Sequence, residues 1–385
     1  MKKILFDLKA CQPIEHIKFH GGGVYGYVVF ERLCKIAPER VIAYWDKSRF
    51  IDPAIKDLID NMNVETVDAS EKKLIDVIDD RVSLFYTPLY DGEHRSLFSL
   101  DLPIYVTVHG LRKLEMNRDS YEIKYATNLK TKFKCILKQT FLYNKLKKKF
   151  FNEYATLLRQ KNVNVITVSN HSKNSLLFHY PFLSEEKINV FYSPSTTSTD
   201  IEKVISYGSD KYYLIISADR WLKNGLRAME AFDTLFDENR LVNTKVIVVG
   251  LSPKQKLMKN IRNKDLFVVK DYVCKDELES LLKGAYALVY PSLNEGFGYP
   301  PLEAMKYGTP VIASPFASIP EVCADSVIYA NPYSIEEIAM RILYLNNESV
   351  YNDYCVRAKN RYNYITHKQD SDLTDMVNLL LGKIE

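Results

Sequence analysis

Among its six cysteines the chain has no CxxC pair, and it has only two tryptophans, no tandem repeat and no low-complexity tract. Cys11, Cys34, Cys135, Cys274, Cys323 and Cys355 are spaced too widely to outline a zinc site or a disulfide framework, which favours a reducing compartment. No apolar run approaches the roughly 20 residues of a membrane span. The start MKKILFDLKA is basic, but Asp7 and Lys9 interrupt its apolar run before it could act as a signal-peptide core. A cytoplasmic protein is therefore expected, neither secreted nor integral to a membrane. Strong charge bias is missing too. The formal net charge is +4 and no recognition motif accompanies the basic segments, so nucleic acid is a poor partner. The first strand-to-helix loop reads HGGGVYG rather than G-x-G-x-x-G, which argues against a nicotinamide cofactor.

What the chain has is 385 residues, 46% of them hydrophobic, enough for two domains with a core each. Short apolar, β-branched runs alternate with helix-period segments: KKILFDL, VIAYW, SLFYTP, IYVTVHG, NVITVS and INVFYS, then YYLIISA, TKVIVVG, FVVKDY, YALVYPS and PVIAS. This is the rhythm of parallel sheets covered on both faces, and it starts twice. Two doubly wound α/β domains are expected, 1–200 and 201–365, joined near residues 193–210, where small polar residues break the pattern. After Asn331 the chain reads as helices, and residues 366–385 are expected to form a last helix, from about 370, that can return to the first domain.

Ligands of doubly wound sheets bind beyond the carboxyl ends of the strands. There the stretch NEGFGYPPLEAMKYGTPVIAS, residues 294–314, sets Glu295 in a glycine loop and Glu303 eight positions later. Tyr286–Ser292 reads as a strand, Gly296 and Gly298 allow close approach of backbone to a ligand, Pro300 and Pro301 suit a first helical turn, and Gly308 would end that helix. Free N–H groups after such a loop form an anion site, and Glu303 is expected in the first turn of the helix. Two acids beside an anion site make sense as acceptors for hydroxyls attached to a phosphate, one on a sugar and one on a ribose. The plainer reading is that Glu303 complements the helix dipole and Glu295 is a solvated loop acid.

YPSLNEGFGYPPLEAMKYGTPVIASPFASIPEV closely resembles the E-x7-E block of the retaining glycosyltransferases of family 4, mannosyl- and rhamnosyltransferase-like members above all. That resemblance implies the GT-B fold, two Rossmann-like domains facing a central cleft, with the C-terminal helix packing back across the domains. It also implies that Val273, in DYVCKDELESLLKGAYALVYPS, contacts the base through its backbone, Glu303 the ribose, and Glu295 the hydroxyls of the transferred sugar. Gly296, Phe297, Gly298 and Tyr299 would form the donor loop. ISADRWLKNGLRAMEAF resembles the segment in which the family places a basic pair on the donor diphosphate, which makes Arg220 and Lys223 the candidates. Their spacing of three departs from the family's, so Lys223 carries over more directly than Arg220. FHGGGVYGYVVFERL resembles the GG-x-x-x-Y loop with Gly22, Gly23 and Tyr27 matching, although a tight turn would ask for the same glycines. VTVHGLRKLE puts His109 at a strand end, where the family holds a histidine beside the transferred sugar. The family follows that histidine with an acid, and here Gly110 follows; a satisfied structural histidine is the alternative.

The implied reaction is retaining transfer of a sugar from a nucleotide diphosphate to an acceptor hydroxyl, with Lys223, Arg220 and loop amides stabilising the departing phosphates and no metal or other cofactor required. The one Asp-x-Asp triplet, Asp370–Asp372, is expected to cap the last helix rather than to bridge a metal and a diphosphate. Residues 128–150, NLKTKFKCILKQTFLYNKLKKKF, mix lysines with apolar side chains. They could lie on the inner face of an anionic membrane and present a lipid-linked acceptor, or form an ordinary amphipathic helix. A capsule or O-antigen glycan is the expected product. The alternatives are a noncatalytic partner-binding relative, and a nucleotide-sugar epimerase or a phosphorylase on the same fold.

Overall fold

The computed structural model describes residues 1–13, 21–195, 211–251 and 256–384. The chain divides into two compact units, Met1–Leu111 with Phe151–Thr196 and Thr366–Glu385, and Arg112–Phe150 with Thr197–Ile365. The expected join at residues 193–210 falls mostly outside the described residues.

Thirteen strands are present among the described residues: β1 Lys3–Asp7, β2 Val41–Trp45, β3 Glu65–Asp68, β4 Val82–Thr87, β5 Ile104–Val108, β6 Val163–Thr167, β7 Ile188–Val190, β8 Tyr212–Ile215, β9 Lys245–Val249, β10 Phe267–Lys270, β11 Ala287–Tyr290, β12 Val311–Ala313 and β13 Ile328–Tyr329. The first unit holds a seven-stranded sheet in the order β3-β2-β1-β4-β5-β6-β7, the second a six-stranded sheet in the order β10-β9-β8-β11-β12-β13, and neighbouring strands pair in parallel throughout. Central strands such as Tyr212–Ile215 and Ala287–Tyr290 are buried at every position, as helices on both faces require. In each sheet the order reverses once, between β1 and β4 and between β8 and β11. The loops leaving those strands diverge there and open a crevice at the carboxyl edge.

Packing fixes the helices nearest these crevices. In the first unit, helix Gly21–Ile36 lies so close to the end of β4 that a Cβ on Gly22 would stand 2.7 Å from Leu89, and one on Gly26 would meet Pro88 at 2.8 Å and the Cys11 sulfur. The triplet at the start of this helix therefore has a packing reason at Gly22. In the second unit, helix Gly225–Asp237 buries Leu226, Met229, Phe232, Leu235 and Phe236 against the sheet.

Two features differ from the sequence expectation. Glu348–Gly382 is one continuous 35-residue helix, so Asp370–Asp372 lie inside it and do not cap it. Asp370 pairs with Arg32 at 2.5 Å, and Asp372 accepts a hydrogen bond from the Tyr192 amide at 2.8 Å, which ties the end of this helix to the first unit. Residues 112–150, placed in the first half by sequence order, cluster with the second unit. The cause is a buried clasp: Arg227 donates to both Asp119 oxygens at 2.8 and 3.0 Å, the Trp221 indole donates to Asp119 at 2.7 Å, and Tyr121 donates to Glu230 at 2.7 Å.

Candidate active site

In the second unit the loops after β8 and β11 converge at the sheet's reversal point. Arg220 precedes the short 3-10 turn Trp221–Lys223, and Asn224 follows it in the left-handed conformation, φ 60°, as the residue before helix Gly225–Asp237. The Asn224 amide does not cap that helix. It donates to the carbonyls of Pro291 at 3.1 Å and Pro332 at 2.6 Å, which locks the β8 loop against the β11 loop. Left-handed backbone is tolerated by Asn with little strain.

The lock brings Lys223 onto Glu295. Lys223 Nζ donates to Glu295 Oε1 at 2.6 Å and to the Tyr290 hydroxyl at 2.5 Å. Tyr290 and Ser292 in turn donate to Glu295 Oε1 at 2.7 and 2.6 Å. The backbone of Glu295 is held as well, its carbonyl accepting from Ser318 Oγ at 3.0 Å. Glu295 is thus a buried, triply bonded carboxylate, and the reading of it as a solvated loop acid fails. Burial opposes its charge, but the Lys223 charge and the three donors outweigh that cost and hold its pKa below the usual carboxylate range. Burial lowers the Lys223 pKa, with Glu295 working in the other direction. Burial and then the Glu295 charge push the Tyr290 phenol well up. Tyr290 and Ser292 went unread in the sequence, although Y-P-S leads directly into the acid loop.

Arg220 is exposed and forms no ion pair with the described residues. Beyond Glu295 the loop continues through half-exposed Gly296 and buried Phe297 to Gly298, whose φ of 105° favours glycine. Helix Tyr299–Met305 then begins with its prolines in the first turn, and Gly308, at φ 73°, closes the turn beyond its end. Glu303 is the fifth residue of this helix, so it lies past the first turn where the sequence put it. It lines a small cavity with Lys275, Leu278, Glu279, Leu282, Lys306 and Tyr307 and accepts no hydrogen bond from the described residues. Burial raises its pKa against the pull of Lys275. A half-buried carboxylate without a donor is one that a ligand hydroxyl can satisfy. Val273 is half-buried in the loop just before helix Lys275–Gly284, so Lys275 brings that loop to the same cavity as Glu303.

The first unit carries the remaining candidates, Gly22, Gly23 and His109. His109 follows β5, donates from Nε2 to the Pro88 carbonyl at 3.0 Å, and meets the edge of Tyr25 at 4.7 Å between ring centroids. Gly110 stands where the family has an acid, and its φ of 147° explains why: a side chain there would be strained.

The model of the family "Glycosyl transferases group 1" matches residues 197–362. That stretch, less than half of the chain, is similar to a group 1 glycosyl transferase domain. Arg220, Lys223, Val273, Glu295 and Glu303 all lie within the matched stretch. The chain is 32% identical over 191 residues to the O-antigen chain mannosyltransferase RfbU of Salmonella typhimurium, covering 49% of this chain and 52% of that one. It is 44% identical over 72 residues to O-antigen chain mannosyltransferase B of Escherichia coli, 19% of each chain. The chain thus spans about half the length of the first of these relatives and a fifth of the second. Anabaena Alr3699/HepE, solved in complex with UDP-glucose, superposes with a TM-score of 0.67 at 14% identity over 99% of this chain and 100% of that one. The fold is GT-B.

Proposed function

We propose that this chain moves a hexosyl group from a nucleoside diphosphate sugar to a hydroxyl of a glycan or lipid-linked acceptor, in the assembly of a bacterial surface polysaccharide of the O-antigen kind. The observation that carries the reading is the Lys223–Glu295 pair at the reversal point of the second sheet, with unpartnered Glu303 eight residues on. The mannosyltransferase relatives put mannosyl donors first. Glu303 would take the ribose hydroxyls, the backbone at Val273 the base, the Gly296–Tyr299 amides with Arg220 the diphosphate, and Glu295 the sugar. Lys223 fixes Glu295 and faces the same charge.

With Oε1 accepting from three donors, Glu295 is a poor nucleophile, which supports an orienting role. Retention would then follow from attack of the acceptor on the face the phosphate leaves, the departing phosphate accepting the acceptor's proton. No metal enters this scheme.

The acceptor side of the proposal rests on residues 128–150, where eight lysines occur without an acid. In helix Leu129–Gln139, Leu129 is 85% and Phe133 63% exposed, and Phe141 just beyond is 85% exposed. At 100° per residue Leu129, Phe133 and Ile136 fall on one stripe flanked by Lys130 and Lys132. Such a stripe suits an anionic membrane surface, where a lipid-linked acceptor would be presented. No helix among the described residues is long and apolar enough to cross a membrane.

The test is transfer from labelled GDP-mannose, and then UDP- and dTDP-sugars, to lipid-linked glycan with EDTA present. Label should enter the lipid fraction, and Glu295→Ala should cut the rate about 10²–10³-fold. Conversion of donor without acceptor, or no transfer from any donor, would refute the reading.

A further inference from the structure

A nucleoside diphosphate sugar brings two negative charges to its site, and the cations identified above do not match them. Lys223 is already neutralised by Glu295 at 2.6 Å, which leaves exposed Arg220 as one charge. The second unit holds another cation beside these loops, Arg112.

Arg112 opens the four-residue turn Arg112–Glu115. That turn is docked on the acid loop, because Asn294, the neighbour of Glu295, donates to Glu115 at 2.5 Å. A few residues further, Asp119 holds the indole of Trp221, the neighbour of Arg220, at 2.7 Å. The segment that carries Arg112 is therefore braced against both loops of the candidate donor site. Arg112 is half-buried, and its Nε is fully buried with no hydrogen-bond partner among the described residues. A buried guanidinium N–H without an acceptor is costly, and native proteins rarely leave one so unless a ligand completes it. The Arg112 charge is also near enough to Lys223 to act against its protonation.

Resting on the reading of this site as a donor site, we infer that Arg112 is a third cation of the site and binds the diphosphate together with Arg220. Lys223 and Glu295 cancel, so the two arginines match the two phosphate charges. Arg112 lies outside residues 197–362, the stretch matched by the family model, and three positions past His109.

The experiment compares the affinities of UDP, GDP and dTDP, and of the corresponding nucleosides, for the full chain and for Arg112→Gln and Arg112→Lys. Removing a charge-assisted hydrogen bond to phosphate should weaken the best diphosphate about ten- to hundredfold. Binding of its nucleoside should be unchanged, and Arg112→Lys should recover part of the loss. The loss should shrink at high salt. Diphosphate binding by Arg112→Gln equal to that of the unmodified chain would overturn the inference and leave the donor reading intact. Equal weakening of nucleoside and diphosphate would also overturn it, since Arg112 would then only support the fold. Should Arg112→Gln fail to fold, Arg112→Lys carries the same comparison, because a point charge cannot reproduce the guanidinium fork. Failure of the unmodified chain to bind any diphosphate would overturn the donor reading, and this inference with it.

Discussion

Replacing Lys223 by Met should destabilise the second unit by roughly 3–5 kcal/mol, because it leaves the Glu295 carboxylate buried with its charge unmatched. Each side chain of the pair is only 9% exposed, and once Lys223 is gone Oε1 keeps two neutral donors, Tyr290 and Ser292. The double replacement Lys223→Met with Glu295→Gln removes both charges and should cost clearly less than Lys223→Met alone. The pH dependence has a definite sign. In the unmodified chain the Glu295 pKa is lowered, so its stabilising share is present above the unfolded-state pKa and is lost as pH falls through the folded-state value. Without Lys223 burial dominates, the Glu295 pKa rises, and the penalty should shrink as acid protonates the carboxylate. The two tryptophans make the assay simple. Trp45 lies in the first unit and Trp221 in the second, so urea melts in a Trp45→Phe background follow Trp221 emission alone. A penalty under about 1 kcal/mol that did not change with pH would mark a solvated pair and refute the reasoning.

Glu303→Gln should raise the melting temperature at neutral pH while weakening donor binding. Its carboxyl pKa is raised by burial, so the folded state binds the proton more tightly and stability falls as pH climbs from the unfolded-state value through the folded-state one; a melting temperature that drops would count against this. Asp119→Ala should cost about 3–5 kcal/mol in the same urea melts and shift Trp221 emission to the red, since Arg227 loses its buried partner and the indole its acceptor. Full-length chain should sediment with vesicles containing anionic phosphatidylglycerol and not with phosphatidylcholine alone, and Leu129→Ser with Phe141→Ser should abolish this without lowering the melting temperature, both side chains being 85% exposed.

The sheets were legible where strands are buried on both faces, because an apolar run such as YYLIISA admits few other readings. The strands that went unread, Glu65–Asp68 and Ile328–Tyr329, are the outer strands of their sheets. Partial exposure of the first lets it carry Glu, Thr and Asp, which erases the apolar signal. Helices were read from Asn331 onward but were not joined into the continuous Glu348–Gly382, because the first part of that helix is polar and packs through side chains such as Arg361, which donates to the Val322 carbonyl. At the candidate site, chain proximity pointed to Glu295 and Glu303 through their glycine and proline neighbours. The partners across the fold stayed hidden. Nothing in local sequence ties Lys223 to Tyr290 or Asp119 to Arg227, since those contacts form only when loops from β8 and β11 and residues 112–150 meet.

The most direct test of the account is a calorimetric titration of the purified chain with UDP-, GDP- and dTDP-sugars in EDTA, repeated with the best ligand on Glu303→Ala and on Arg220→Ala. The account predicts that one nucleotide family binds without metal and that both substitutions weaken it about tenfold or more. Absence of binding across the panel, or binding untouched by either substitution, would contradict it.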